Sequence, residues 1–302
     1  MAQPVITLSN LSKKYRDAYA IEEISLDIEK GDFYGFVGPN GAGKSTTMRI
    51  LLGLIQATEG EARVFNQPVT TQTSSILARI GYIPSEVVFY DYLTVRETIL
   101  FSARLRGSNE TILAESQRLM DKFNIDANKK IKALSLGNRK KVSIICALQH
   151  QPDLYIFDEP TSGLDPLMQA VFWEEMQERH QKGATIFVSS HNLTEVQRYC
   201  TKAAIISEGK IISAGPMEEL RKTSVKRVVI QGITAIPELE EQMKDMQQTQ
   251  DGISFLYQDT LAQLMTVLYS YKDNILDLSI VEPDLEEVFR HFYVTDKEMR
   301  DD

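Results

Sequence analysis

Apolar and polar positions alternate between strand-like and helix-like regimes. Val5-Ile6-Thr7-Leu8 and Ile24-Ser25-Leu26-Asp27-Ile28 alternate or run apolar, with Gly31-Asp32 as a turn, and predict strands. Phe33-Tyr34-Gly35-Phe36-Val37, Leu154-Tyr155-Ile156-Phe157 and Thr185-Ile186-Phe187-Val188 are short apolar runs that suit buried strands. Ala62-Arg63-Val64-Phe65 and Ile80-Gly81-Tyr82-Ile83 are further short strands. Helical spacing predicts helices over Thr46–Leu54, from Thr94 to about Phe123, and over Met168–Gln181. Strands alternating with helices predict an α/β fold with a parallel sheet and crossovers.

The composition shifts at Arg221-Lys222-Thr223-Ser224. Beyond it the pattern predicts strand (Arg227–Gln231), helix (Pro237–Gln247), strand (Ile253–Tyr257), helix (Leu261–Tyr271), strand (Ile275–Ile280) and helix (Leu285–Tyr293). The expected organisation is a first domain over residues 1–222, with a helical insert at about 90–150, and a small α/β domain over 223–302.

A net charge of −9 argues against a nucleic-acid binder that works by bulk electrostatics. The two cysteines, Cys146 and Cys200, have no metal-ligand spacing and fit a reducing cytosol; Cys146 reads as a buried thiol. The start shows no secretory pattern, and no run approaches the length of a membrane span. The chain is not expected to cross the bilayer by itself.

Chemistry concentrates in Gly38-Pro39-Asn40-Gly41-Ala42-Gly43-Lys44-Ser45-Thr46, a G-x-x-x-x-G-K-[ST] loop between a predicted strand and helix. Glycines let successive N–H groups curl around phosphate oxygens. The following helix start adds its dipole. Lys44 is placed to reach β- and γ-phosphates, and the Ser45 hydroxyl to ligate Mg²⁺. A second strand ends in Asp158-Glu159, where Asp158 suits a metal ion and Glu159 suits deprotonation of water. His191, after the Thr185–Val188 strand, is placed to bond the γ-phosphate or the attacking water. The remaining histidines, His150, His180 and His291, receive no role.

Together these residues resemble the ATP-binding subunit of ABC transporters over about residues 4–220. The resemblance rests on the phosphate loop, on Asp158-Glu159-Pro160-Thr161, on Ser162-Gly163-Leu164-Asp165, on His191 and on Tyr15. It implies a P-loop NTPase ABC cassette: a RecA-like core, an antiparallel β subdomain and a helical insert. It also implies ATP and Mg²⁺ as cofactors, with Tyr15 stacking on adenine and Asp165 in a dimer-contact loop. A second nucleotide-binding subunit, identical or related, is implied as a partner. So are transmembrane permease subunits, which place the chain peripherally on the cytoplasmic side of the cell membrane. In the implied dimer, Ser135 and Gly137 of one subunit cover ATP held by the other. No nucleic acid is expected. The tail Ser279–Phe289 resembles the ending of bacterial exporters whose ATPase is a separate chain. The alternative is a soluble ABC-type ATPase acting in translation or DNA maintenance.

Two positions depart from the family pattern. Leu134-Ser135-Leu136-Gly137-Asn138 stands for Leu-Ser-Gly-Gly-Gln, so Leu136 loses a glycine's access to positive φ and an altered trans contact is expected. After Pro84 the family places a metal-touching glutamine, where this chain has Ser85-Glu86. Either Glu86 reaches the metal, or coupling is looser, or the segment is a plain turn. Arg139-Lys140-Lys141 reads as a solvated helix start. Val87–Leu93 corresponds to the groove that receives a helix of the membrane subunit, with one or two aromatics exposed.

Overall fold

The computed structural model describes residues 4–70, 74–221, 226–257, 259–281 and 283. It divides into two compact units, residues 1–214 and 215–302.

The first unit opens with β1 (Pro4–Tyr15), β2 (Ala18–Glu29) and β3 (Phe33–Val37). The phosphate loop leads into α1 (Lys44–Leu51), then β4 (Glu59–Val64) and β5 (Gln67–Pro68). After α2 (Ser74–Leu77) and β6 (Ile80–Ile83) come α3 (Val95–Leu105), α4 (Glu110–Lys122) and α5 (Leu136–Leu148). Then follow β7 (Leu154–Asp158), α6 (Pro166–Gln181), β8 (Thr185–Ser190), α7 (Leu193–Tyr199), β9 (Lys202–Ser207) and β10 (Lys210–Pro216).

β1, β2, β4 and β5 form an antiparallel sheet in the order β2-β1-β4-β5. A second sheet runs β10-β9-β3-β8-β7-β6, and the pairings of β3 with β8 and β9, and of β7 with β6 and β8, are parallel. β3, β7 and β8 are buried at every position, which is why they read as continuous apolar runs. One core joins both sheets around α1 and includes Ile6, Leu26, Ile28, Phe36, Met48, Leu51, Ile156 and Phe187. The expected mixed architecture, a parallel core with an antiparallel subdomain and a helical segment, is present.

The single helical stretch expected from Thr94 is two helices. α3 starts at a capping box in which Thr94 Oγ1 accepts from the Glu97 amide at 3.2 Å and Glu97 accepts from the Thr94 amide at 2.8 Å. It stops before Gly107, which takes φ 76°. Asn109 then caps α4 by accepting from the Ile112 amide. A buried ionic cluster ties α4 to α6. Glu175 accepts from Arg118 at 2.6 and 3.1 Å, from Lys122 at 2.8 Å and from Arg179 at 2.9 Å. Burial pushes the Glu175 carboxyl up, but these cations outweigh it and hold the group at about 2.

The second unit includes α8 (Met217–Arg221), β11 (Lys226–Gln231), β12 (Met243–Gln248), β13 (Gly252–Tyr257), α9 (Leu261–Tyr269) and β14 (Asp277–Val281). Its antiparallel sheet runs β12-β13-β11-β14 over a core containing Val228, Ile230, Phe255, Tyr257, Leu264 and Leu268. The helix expected over Pro237–Gln247 is not formed: Pro237–Leu239 is a single 3₁₀ turn, residues 240–242 are a turn, and the segment from Met243 enters edge strand β12. Its hydrophobic spacing is helical, yet pairing with β13 prevails, with a bulge between Lys244 and Gln247. There Asp245 takes φ 44° and binds the Arg227 guanidinium at 2.7 Å. The helix expected over Leu285–Tyr293 lies outside the described residues.

Candidate active site

The C-terminal ends of the parallel strands assemble the site, as in open α/β sheets generally. The chain leaves β3 at Gly38, where a Cβ would strike the Ile206 carbonyl oxygen. Gly41 and Gly43 take φ of 86° and 106°, conformations that side chains resist. Gly43 is the N-cap of α1 and supplies no side-chain bond to the first-turn amides, which point with the helix dipole toward the loop. Pro39, Asn40 and Ala42 complete the loop, and Ser45 and Thr46, half-buried, occupy the first turn of α1.

Lys44 is nearly enclosed. Its Nζ donates to the carbonyls of Gly38 at 2.6 Å and Pro39 at 3.1 Å, and lies 3.4 Å from Glu159 Oε1. The structure therefore brings Lys44 and Glu159 together, although they are far apart in sequence.

β7 delivers Asp158 at its last position, 1% exposed. Register places Asp158 beside Ser189 of β8. The Ser189 hydroxyl donates to Asp158 Oδ1 at 2.7 Å and accepts from the Glu159 amide at 3.0 Å. Glu159 itself has φ 50°, an uncommon left-handed conformation for a non-glycine residue, which turns the chain off the strand. His191 Nδ1 lies 2.7 Å from Glu159 Oε2, and the carboxylate acceptor assigns the proton to Nδ1. Asp158 Oδ2 is buried without a hydrogen-bond partner, and the equally buried Glu159 Oε1 has the Lys44 ammonium at 3.4 Å. Leaving a buried oxygen unpaired costs roughly 1–3 kcal/mol, and more when charged.

Sequence reasoning missed Ser189 as the residue that bonds both the Asp158 carboxylate and the Glu159 main chain; its signal was only a small polar side chain in an apolar strand. It also missed Glu195 of α7, which accepts from Thr161 at 3.1 Å and Ser190 at 3.4 Å. Burial raises the Glu195 carboxyl; hydrogen bonds from Thr161 and Ser190 oppose this. Glu195 thus connects the loop after β7 to the end of β8.

Ser135 caps α5, its hydroxyl accepting from the Asn138 amide at 3.4 Å, and is exposed. Leu136 begins the helix and is 67% exposed. Gly137 approaches the loop after β7 so closely that a Cβ would lie 2.6 Å from the Gly163 carbonyl oxygen. Asp165 is the N-cap of α6, accepting from the Met168 amide at 3.0 Å. Tyr15 is 48% exposed with the Lys13 ammonium over its ring. Glu86 is exposed. Among the described residues no three His, Cys, Asp or Glu side chains gather as a metal cluster.

The helix start at Arg139-Lys140-Lys141 is not solvated as expected: Lys140 is 2% exposed and Lys141 is buried. The reason is packing of α5 against α3, α4 and β6. Lys140 Nζ donates to the carbonyls of Pro84 at 3.0 Å and Ser85 at 3.2 Å. Burial pushes the ammonium down to about 8, against the pull of Asp158 and Glu159.

A cavity of about 440 Å³ is lined by Val88, Phe89, Tyr90, Leu93, Phe101 and Leu105, among others. Tyr90, Tyr92, Phe101 and Leu105 expose much of their rings or branches along this face. Cys146, expected as a buried thiol, is half-buried as a residue and lines the same cavity; burial pushes its thiol up to about 12.

Comparison with known proteins decides the family. The ABC transporter family model matches residues 21–162. The bacitracin transport ATP-binding protein BcrA of Bacillus licheniformis is 32% identical over 94% of this chain and 96% of its own length. The chain belongs to the ABC transporter ATP-binding proteins. The linearmycin resistance ATP-binding protein LnrL of Bacillus subtilis is 27% identical over 98% of this chain and its whole length. A solved ATP-binding subunit of an ABC transporter superposes with a TM-score of 0.67 at 31% identity, covering 72% of this chain and 92% of that one. As a member, the cassette binds ATP and hydrolyses it to energise transport. No described helix is long and apolar enough to cross a membrane.

Proposed function

We propose that the cassette powers an exporter and that Lys44, Asp158, Glu159 and His191 carry its chemistry. The observation that carries this reading is the convergence on Glu159 of the Lys44 ammonium at 3.4 Å and the His191 imidazole at 2.7 Å. ATP lies with its phosphates on the amides of residues 38–46 and its adenine on Tyr15. Lys44 exchanges the Gly38 and Pro39 carbonyls for phosphate oxygens. Glu159 takes a proton from water, the water oxygen bonds the γ-phosphorus, and the bond to the ADP oxygen breaks. His191 holds the Glu159 carboxylate in line through Nδ1.

The donor set suits Mg²⁺: a buried carboxylate oxygen of Asp158 lacking a partner, and the Ser45 hydroxyl, are hard oxygen ligands. When bound, the ion offsets charge on the transferring phosphoryl group.

Two cassettes, identical or related, close over two nucleotides, with Ser135, Gly137 and the Asp165 loop meeting the opposite subunit. The aromatic face around Tyr90 and Tyr92 receives separate transmembrane subunits, which holds the cassette on the cytoplasmic side of the membrane. Residues beyond about 222 form an accessory domain. Similarity to a bacitracin transport and a linearmycin resistance protein supports export. The test is Glu159→Gln: turnover is expected to fall roughly 10²- to 10⁴-fold with ATP binding retained. Equal turnover in variant and wild type removes Glu159 as the base.

A further inference from the structure

We propose that Lys140 is a positioning residue for ATP hydrolysis, fastening the Pro84–Ser85 segment to the first turns of α5. The inference deepens the reading of the active site given above and rests on it. A lysine is costly to enclose, because its ammonium leaves water. At 2% exposure this one is almost wholly enclosed. Its compensation is specific: two main-chain carbonyls at 3.0 and 3.2 Å and the favourable field of Asp158 and Glu159. Charge-assisted bonds of this kind are stronger than neutral ones, and removing the donor leaves two part-buried carbonyls without it.

Placement gives the contact a consequence. The segment held by Lys140 follows β6, the strand beside β7, and leads directly to Val88, Phe89 and Tyr90 of the aromatic cavity. One turn earlier on the same helix, Gly137 rests against the Gly163 carbonyl in the loop that follows the acids. α5 therefore touches the loops after both β6 and β7, one through a charged strut and one through a backbone contact. Ser85 carries too short a side chain to reach across from its own backbone position. The connection is made instead from the opposite direction, by a long side chain reaching into the loop's carbonyls. A displacement of the aromatic face is thereby passed to α5 and on to the Ser135–Gly137 segment.

The test uses the purified full-length chain, with Lys140→Met as the principal variant and Lys140→Gln, which keeps one donor, as the second should the first fail to fold. Mg-ATP turnover is measured beside hydrogen exchange of peptides spanning 38–46 and 84–90. The expected result is a kcat lower by roughly 10- to 100-fold, the scale of a small misplacement at a reacting centre, with KM for ATP within about two-fold. Exchange is expected to quicken in 84–90 and stay unchanged in 38–46. A kcat within two-fold of wild type, or equal loosening of both peptides, overturns the proposal. Glu159→Gln in the same assay separates the two levels. If it turns over like wild type, the active-site reading fails; if it is inactive while both Lys140 variants are normal, only the Lys140 inference fails.

Discussion

Replacing Glu175 by Gln removes one negative charge from the cluster between α4 and α6 while keeping the shape of the side chain. Glu175 is 2% exposed and serves Arg118, Lys122 and Arg179. A carboxyl that moves from 4.5 when unfolded to about 2 when folded contributes about 3 kcal/mol at neutral pH. That lies at the lower edge of the roughly 3–5 kcal/mol lost when one partner of a buried ion pair is deleted. The direction with pH follows from the depressed folded value. The contribution is complete above about pH 4.5 and disappears as pH falls toward 2. At pH 3 only about 1 kcal/mol should remain. For a unit of 214 residues, at about 2–4 °C per kcal/mol, Glu175→Gln should lower Tm by roughly 6–12 °C at pH 7. Thermal unfolding followed by circular dichroism at pH 7, 5, 4 and 3 reads both quantities. A Tm change below about 2 °C at pH 7, or a gap that fails to narrow on acidification, refutes the reasoning.

Two further outcomes concern function. Tyr90→Asp and Tyr92→Asp should leave ATP affinity within about two-fold while weakening co-purification with the transmembrane subunits; undiminished association removes this face as the docking surface. Glu86→Ala distinguishes the readings left open at Ser85-Glu86. If Glu86 reaches the metal, a Mg²⁺ titration of turnover shifts to higher concentration. An unchanged rate and Mg²⁺ dependence exclude it from the site.

Most of the catalytic strand ends was legible because each lies at the end of an apolar run, where backbone and chemistry change together. Phe33–Val37 before Gly38, Leu154–Phe157 before Asp158, and Thr185–Val188 before His191 each announce a strand and its cargo. The adjacency of the acid-bearing strand and the strand before His191 was legible, but the register between them was not. Ser189 serves Asp158 only because β7 and β8 pair in that register, a long-range fact. Lys140 reads as a surface residue by type, and only packing of α5 against its neighbours encloses it. Pro237–Gln247 shows the converse failure. Local spacing favoured a helix, while the exposed edge of β13 recruited the segment as a strand.

The hydroxyl shared by Asp158 and the Glu159 amide makes the reactive corner a property of the sheet. Its anchor belongs to a neighbouring strand, not to the segment that begins at Pro160. That segment is fastened separately, by Glu195 accepting from Thr161 and from Ser190 of the same strand β8. Truncating a single serine, Ser189→Ala, would remove at once the donor to the Asp158 carboxylate and the acceptor of the Glu159 amide.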